Sequence, residues 1–209
     1  LSMPENLHKL FVISSPSGGG KTSLINKLFE DSRSANFEKS ISDTSRQKRQ
    51  GDLEGKDYYF LSEKDFKDKI NKEEYVEYAT VFGNFYGTSK EEIKTKYNNS
   101  NLILELDWQG AYAVKELFDD AKLIFLVPPS LDDLKQRLIK RNLDSSEAIE
   151  NRLSEAKKEI SKSEMYDYLV LNDDFHKAFE DLSQILFEGI SPIDFNSRAS
   201  KDLIKRLVE

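Results

Sequence analysis

Three clusters in this chain combine residue types suited to handling phosphate. The first is Ser15-Pro16-Ser17-Gly18-Gly19-Gly20-Lys21-Thr22-Ser23. Consecutive residues without Cβ let backbone N–H groups close around an anion. Lys21 offers a point charge for β- and γ-phosphates, and the Thr22 hydroxyl a hard oxygen for Mg²⁺. The spacing is nearly the phosphate-loop pattern G-x-x-x-x-G-K-S/T, with Ser15 where the first glycine stands. The bland alternative is a glycine-rich turn with a surface lysine. An apolar run before it (Leu10 to Ile13) and helically spaced Leu24, Ile25, Leu28 and Phe29 after it favour the phosphate cradle.

The second cluster runs from Ser42, Thr44 and Ser45 through Arg46 and Arg49 to a Gly51–Gly55 turn, followed by Lys56, Asp57, Tyr58 and Tyr59. Guanidinium groups grip phosphate oxygens bidentately, so two arginines among hydroxyls make a fork for a terminal phosphate. A solvated loop with scattered charge is the competing reading. The third cluster is Arg137 with Arg141, four apart and therefore on one helix face, and Arg152 further on. These form either a surface basic stripe or a movable phosphate clamp.

Composition narrows the chemistry. The 209 residues suit one domain with insertions; 38% are hydrophobic and 33% charged, with a net charge of −7. Such an acidic chain is a poor general binder of nucleic acid, so a polyanionic ligand must be held by local basic clusters. There is no cysteine, which excludes disulfides, thiolate metal sites and thiol nucleophiles and fits a cytoplasmic location. The two histidines, His8 and His176, read as surface positions and make histidine acid/base catalysis improbable. No apolar run approaches the ~20 residues of a membrane span, so no membrane association is expected. Leu1-Ser2 ahead of Met3 reads as a remnant, with no signal-peptide core behind it.

The elements that must position these clusters alternate as in an α/β fold with a parallel sheet flanked by helices. Core strands are expected at Leu10 to Ser14, Leu102 to Asp107, Leu123 to Val127 and Tyr168 to Leu171. Ser89 with Glu92 has capping-box spacing and opens a helix to Tyr97; Ser130 with Asp133 opens another. A last core helix is expected over Phe175 to Glu188, burying Phe179, Leu182 and Leu186. Residues 5–36, 89–129 and 157–190 therefore form the core. A mostly β insertion occupies 37–88, with strands at Lys39 to Thr44, Tyr58 to Leu61 and Tyr75 to Phe82 and a helix from Ser62 to Ile70. A helical insertion occupies 130–156, and the tail 191–209 carries a weak helical pattern in Leu203, Ile204 and Leu207.

With these motifs assembled, the chain resembles the guanylate kinase family over about Lys9 to Glu188. Ser15 to Thr22 is similar to the family's phosphate loop, in which the first glycine is not obligatory. Ser42 to Arg49 and Gly55-Lys56-Asp57-Tyr58 resemble its GMP-phosphate motif, and Glu77-Tyr78-Ala79 with Gly83-Asn84-Phe85-Tyr86-Gly87-Thr88 its guanine-recognition segment. Asp107-Trp108-Gln109-Gly110, Pro128-Pro129-Ser130, Arg137, Arg141, Asn151-Arg152-Leu153 and Val170 to Asp174 complete the resemblance.

The resemblance implies ATP-dependent, Mg²⁺-assisted phosphorylation of GMP, and of dGMP, in purine nucleotide metabolism. ATP would lie on Ser15 to Ser23, with Asn172 and Asp173 beside its adenine. Ser42, Arg46, Arg49, Tyr58 and Tyr86 would hold the GMP phosphate, Glu77 and Thr88 would read the guanine edge, and Asp107 would face the metal and substrate region. Lys21, Arg46, Arg137, Arg141 and Arg152 would stabilise the transferred phosphoryl group, and Thr22 would ligate Mg²⁺. The 37–88 insertion becomes the GMP-binding unit and 130–156 a lid. Glu105 stands where the resemblance implies an aspartate.

Two other classes compete. Asp107-Trp108-Gln109-Gly110 fits the D-x-x-G pattern of a regulatory GTPase, but neither Asn26-Lys27-Leu28-Phe29 nor Asn71-Lys72-Glu73-Glu74 completes the guanine-reading Asn-Lys-x-Asp. A non-catalytic guanylate-kinase-like binding module typically lacks a working phosphate loop, whereas Gly20, Lys21 and Thr22 are all present.

Overall fold

The computed structural model describes residues 8–81, 83–140 and 146–209. Its core is a five-stranded, all-parallel sheet in the order β2-β7-β1-β8-β9. These strands are β1 (Leu10–Ser14), β2 (Phe37–Lys39), β7 (Asn101–Glu105), β8 (Lys122–Val127) and β9 (Tyr168–Leu171). The four sequence-expected core strands are all present. Because alternate strand residues face opposite ways, the sheet builds two apolar layers. Phe11, Ile13, Ile103, Ile124, Leu126 and Val170 pack under α1 (Lys21–Phe29) and α7 (Phe175–Ser183). Leu10, Val12, Leu102, Leu104, Leu123 and Phe125 pack on the other side, against α3 (Lys90–Tyr97), α4 (Trp108–Leu117), α6 (Ser146–Ser161) and α8 (Arg198–Val208).

A second sheet, ordered β4-β3-β6-β5, joins β3 (Asp43–Thr44), β4 (Tyr59–Phe60), β5 (Tyr75–Val81) and β6 (Asn84–Ser89). The helix α2 (Glu63–Asn71) packs here through Phe66, which stacks on Tyr75 and Phe85 with ring centroids 4.5 and 5.3 Å apart. Buried Asp43 anchors the sheet: it accepts hydrogen bonds from Lys69 Nζ at 2.5 Å and from the Tyr75 hydroxyl at 2.8 Å.

The single strand expected over Lys39 to Thr44 is two strands in two sheets. Phe37–Lys39 pairs with β7 at the edge of the core, and only Asp43–Thr44 belongs to the insertion. The helix expected over Phe175 to Glu188 is α-helical to Ser183 and then widens into a π turn, Gln184–Glu188, which Gly189 ends at φ +71°. Ser89 caps α3 as the sequence predicts, accepting from the N–H groups of Glu91 and Glu92. Glu92, however, does not close a capping box. Its carboxylate takes the Ile41 N–H at 3.0 Å and the Lys96 ammonium at 2.8 Å, bracing the insertion against the core.

The helices α5 (Leu131–Lys140) and α6 share a small apolar cluster of Leu134, Leu138 and Ala156. The tail's weak periodicity becomes α8, whose Leu207 is buried while Leu203 and Ile204 pack beside it. Among the described residues no helix is long and apolar enough to cross a membrane.

Candidate active site

Order β2-β7-β1-β8-β9 puts β1 at the centre, where successive connections leave to opposite sides and a crevice opens beyond the carboxyl ends. The glycine-rich loop begins there. Gly18 and Gly20 have φ of +86° and +89°, a region that strains other residues. Neighbouring groups leave no space either. A Cβ on Gly18 would meet Leu138 Cδ2 at 3.0 Å, and one on Gly20 would strike the Asn172 amide. The first intrahelical bond, Leu24 N–H to Gly20 O at 3.1 Å, leaves the amides of Lys21, Thr22 and Ser23 ahead of it without an intrahelical acceptor. Ser15 is buried and stands inside the loop's base, its hydroxyl 3.2 Å from Pro16 O.

Behind the loop sits a charge network. Lys21 Nζ donates to Leu106 O at 3.1 Å, and burial lowers its pKa against the opposing pull of Glu105, Glu159 and Asp107. Glu105, at the carboxyl end of β7, accepts from Thr22 Oγ1 at 2.5 Å and from Lys39 Nζ at 2.7 Å. Burial pushes its carboxyl up, but the bonds and charges of Lys39, Thr22 and Lys21 outweigh this and hold it below the usual range. Thr22 and Glu105 thus place two hard oxygens side by side, a donor set that fits Mg²⁺. Among the described residues no group of three or more His, Cys, Asp or Glu is placed to hold a metal ion.

The insertion faces this loop across a cavity of about 330 Å³ lined in part by Lys21, Thr22, Ser42, Tyr58, Thr88 and Glu105. Arg46 is paired with Asp52 at 2.9 Å and lies 5.5 Å over the rings of Tyr58 and Phe60, the first of which lines this cavity. Tyr58 meets Tyr86 edge to face, with centroids 5.7 Å apart. Arg49 is exposed, and its backbone N–H donates to Asp52 at 2.7 Å.

Glu77 and Thr88 are cross-strand partners in the β5/β6 register, set by an irregularity between Tyr75 and Glu77. The Thr88 hydroxyl donates to Glu77 Oε1 at 2.6 Å. Burial is the largest cause of the raised Glu77 pKa, Thr88 opposes it and Asp107 adds to it. Asp107 is exposed and caps α4, its side chain accepting from Gly110 N–H at 2.9 Å.

From the helical insertion, Arg137 Nη2 donates to Asn172 O at 2.8 Å and Arg152 Nη1 to Ser17 Oγ at 3.1 Å. Arg141 lies outside the described residues. Asn172 is buried beneath the glycine-rich loop, its amide donating to Gly19 O at 2.6 Å, and Asp173 beside it is exposed.

Two residues at the site carry no motif signal. Lys39 reaches Glu105 from an edge strand too short to announce itself. Glu159 is half-buried on α6, seven residues after Arg152 and so on nearly the same helix face. Its pKa is pushed up to about 7, by burial first, with Lys21 opposing and Asp107 and Glu155 adding.

The guanylate kinase family model matches residues 7–189. The guanylate kinase of Wolbachia sp. subsp. Brugia malayi is 45% identical over 184 residues, which cover 87% of this chain and 93% of that one. That of Hahella chejuensis is 47% identical over 178 residues, 85% of either chain. The crystal structure of guanylate kinase from Anaplasma phagocytophilum shares 32% identity and a TM-score of 0.67, covering 100% of both chains. This chain belongs to the guanylate kinase family.

Proposed function

We propose that the protein transfers the γ-phosphoryl group of ATP to GMP, and to dGMP, giving the nucleoside diphosphate. The observation that carries this reading is the single cavity on which the loop's Lys21 and Thr22 and the insertion's Ser42, Tyr58 and Thr88 open together. In this reading ATP lies on Ser15 to Ser23 at the helix N-terminus, with Asp173 at the nucleoside side. Residues 130–156 act as a lid. The GMP-binding insertion starts after Lys39, since that strand belongs to the core sheet.

Phosphoryl transfer asks a protein mainly to align donor and acceptor oxygens and to stabilise spreading negative charge. Arg46 and Arg49, with Ser42, Tyr58 and Tyr86, would fix the acceptor phosphate. Its oxygen is already anionic at neutral pH, so no general base is needed. Lys21 would leave the Leu106 carbonyl for the transferred phosphate. Mg²⁺, when bound with ATP, neutralises charge across the β- and γ-phosphates; Thr22, supported by Glu105, would hold it. Lid closure would bring Arg137, Arg152 and, as the sequence resemblance implies, Arg141 onto the phosphates and exclude water.

Glu77 would choose the base. Its carboxylate can accept from both N1–H and the 2-amino group of guanine, whereas adenine presents an N1 lone pair there. Because the Thr88 proton lies on Glu77, Thr88 would orient that carboxylate and reach guanine O6 only after turning. Each hydrogen bond to a charged group contributes about 1.5–3 kcal/mol, so Glu77→Ala should lower kcat/KM for GMP by ~10²-fold or more and leave the KM for ATP unchanged. Unaltered GMP kinetics in that variant would remove the base-reading assignment.

A further inference from the structure

We propose that Gly110 is a positioning residue for guanine specificity: its missing side chain is the space through which the Glu77 side chain passes to reach the base. The inference rests on the reading of Glu77 given above. Gly110 is buried in the first turn of α4, a ten-residue helix. Its φ is not among the positive values in the chain, so the backbone there suits any L-residue. Alanine is the better helix former at such a position. What requires glycine is close approach. A Cβ would meet Glu77 Cγ at 3.0 Å, Leu106 Cβ at 3.1 Å and Leu106 Cδ1 at 3.2 Å, where carbons normally settle at about 3.5–4.0 Å.

The two ends of Glu77 are thereby held by different elements. Its stem lies against the first turn of α4, and its head takes the Thr88 hydroxyl at 2.6 Å. A methyl group at position 110 would push the middle of this lever by several tenths of an ångström and swing the carboxylate away from Thr88 and the guanine edge. Functional constellations tolerate only about 0.5 Å of such error, and ~1 Å can cost 10²-fold.

The experiment is a double-substitution cycle on the full chain, with Gly110→Ala, Glu77→Ala and both together, measuring kcat and KM for GMP and ATP and the Tm. Gly110→Ala is expected to reduce kcat/KM for GMP by about tenfold or more, to leave the KM for ATP unchanged and not to lower the Tm. In the Glu77→Ala background the same substitution should have no further effect on GMP, because the atom it displaces is gone. If Glu77→Ala is impaired while Gly110→Ala matches wild type, the proposal falls and the base-reading assignment stands. If Glu77→Ala is itself silent towards GMP, both fall. A Gly110→Ala loss that persists in full without Glu77, or comes with a raised KM for ATP, would mean that the methyl acts through Leu106, whose carbonyl holds Lys21, and would overturn it. Should Gly110→Ala lower the Tm, the proposal requires Glu77→Ala to restore it; a Tm that stays low in the double variant overturns it too.

Discussion

Replacing Glu159 with glutamine should stabilise the unliganded protein at alkaline pH and do little at acid pH. The Glu159 carboxyl is pushed from 4.5 up to about 7, chiefly by burial, with Lys21 opposing and Asp107 and Glu155 adding to the rise. A carboxyl whose folded pKa lies above its unfolded one binds more protons in the folded state. Its contribution to stability therefore falls as pH rises from about 4.5 to about 7, and stays low beyond. At about 1.4 kcal/mol for each tenfold change in proton affinity, the rise from 4.5 to about 7 sets a ceiling of ~3 kcal/mol. Because the side chain is only half-buried, solvent screening leaves roughly 1–2 kcal/mol. For a chain of this size that is about 2–8 °C in Tm. Glutamine keeps the shape and removes the ionisation, and Lys21 retains Glu105 and Asp107 as partners. Calorimetric scans of both proteins at pH 5, 6, 7 and 8 should show the variant's advantage growing across the series. An advantage that is constant with pH, or a variant less stable at pH 8, would refute the reasoning.

Lys21→Ala should lower kcat by ~10²-fold or more with the fold retained, since one preorganised charge at the transferred group is lost; near-normal kcat would remove Lys21 from the chemistry. Arg152→Ala, which deletes the contact to Ser17, should reduce kcat more than nucleotide affinity, and a change confined to KM would contradict a lid role. Asp43→Ala should cost about 3 kcal/mol in denaturant unfolding, because Lys69 and Tyr75 lose their shared buried acceptor; a loss well under 1 kcal/mol would show that the second sheet does not depend on it.

Where a signal was local, the sequence disclosed it. The run Leu10 to Ile13, the glycine-rich turn and the capped starts at Ser62, Ser89 and Ser130 each follow from a few neighbouring residues. Where the outcome depended on distant partners, it did not. Three residues, Phe37–Lys39, cannot announce which sheet they will join. Asn84–Ser89 lacks an alternating apolar pattern, so β6 is visible only through its pairing with β3 and β5. Glu92 fits a capping box by spacing, yet Ile41 N–H and Lys96 compete successfully for its carboxylate. Asn172 lies in a recognisable motif, but its burial under Gly19 comes from how β9 meets the loop. Glu159 is an unremarkable helical glutamate until α6 brings it to Lys21.

The central claim, a kinase that phosphorylates GMP, is tested most directly by steady-state ADP formation from Mg²⁺-ATP with GMP, AMP, CMP and UMP as acceptors in turn. Turnover should be rapid with GMP, and kcat/KM for AMP lower by ~10³-fold or more, as expected where a half-buried carboxylate must find two donors. Equal use of AMP and GMP, or no GMP-dependent ADP formation at all, would contradict the account.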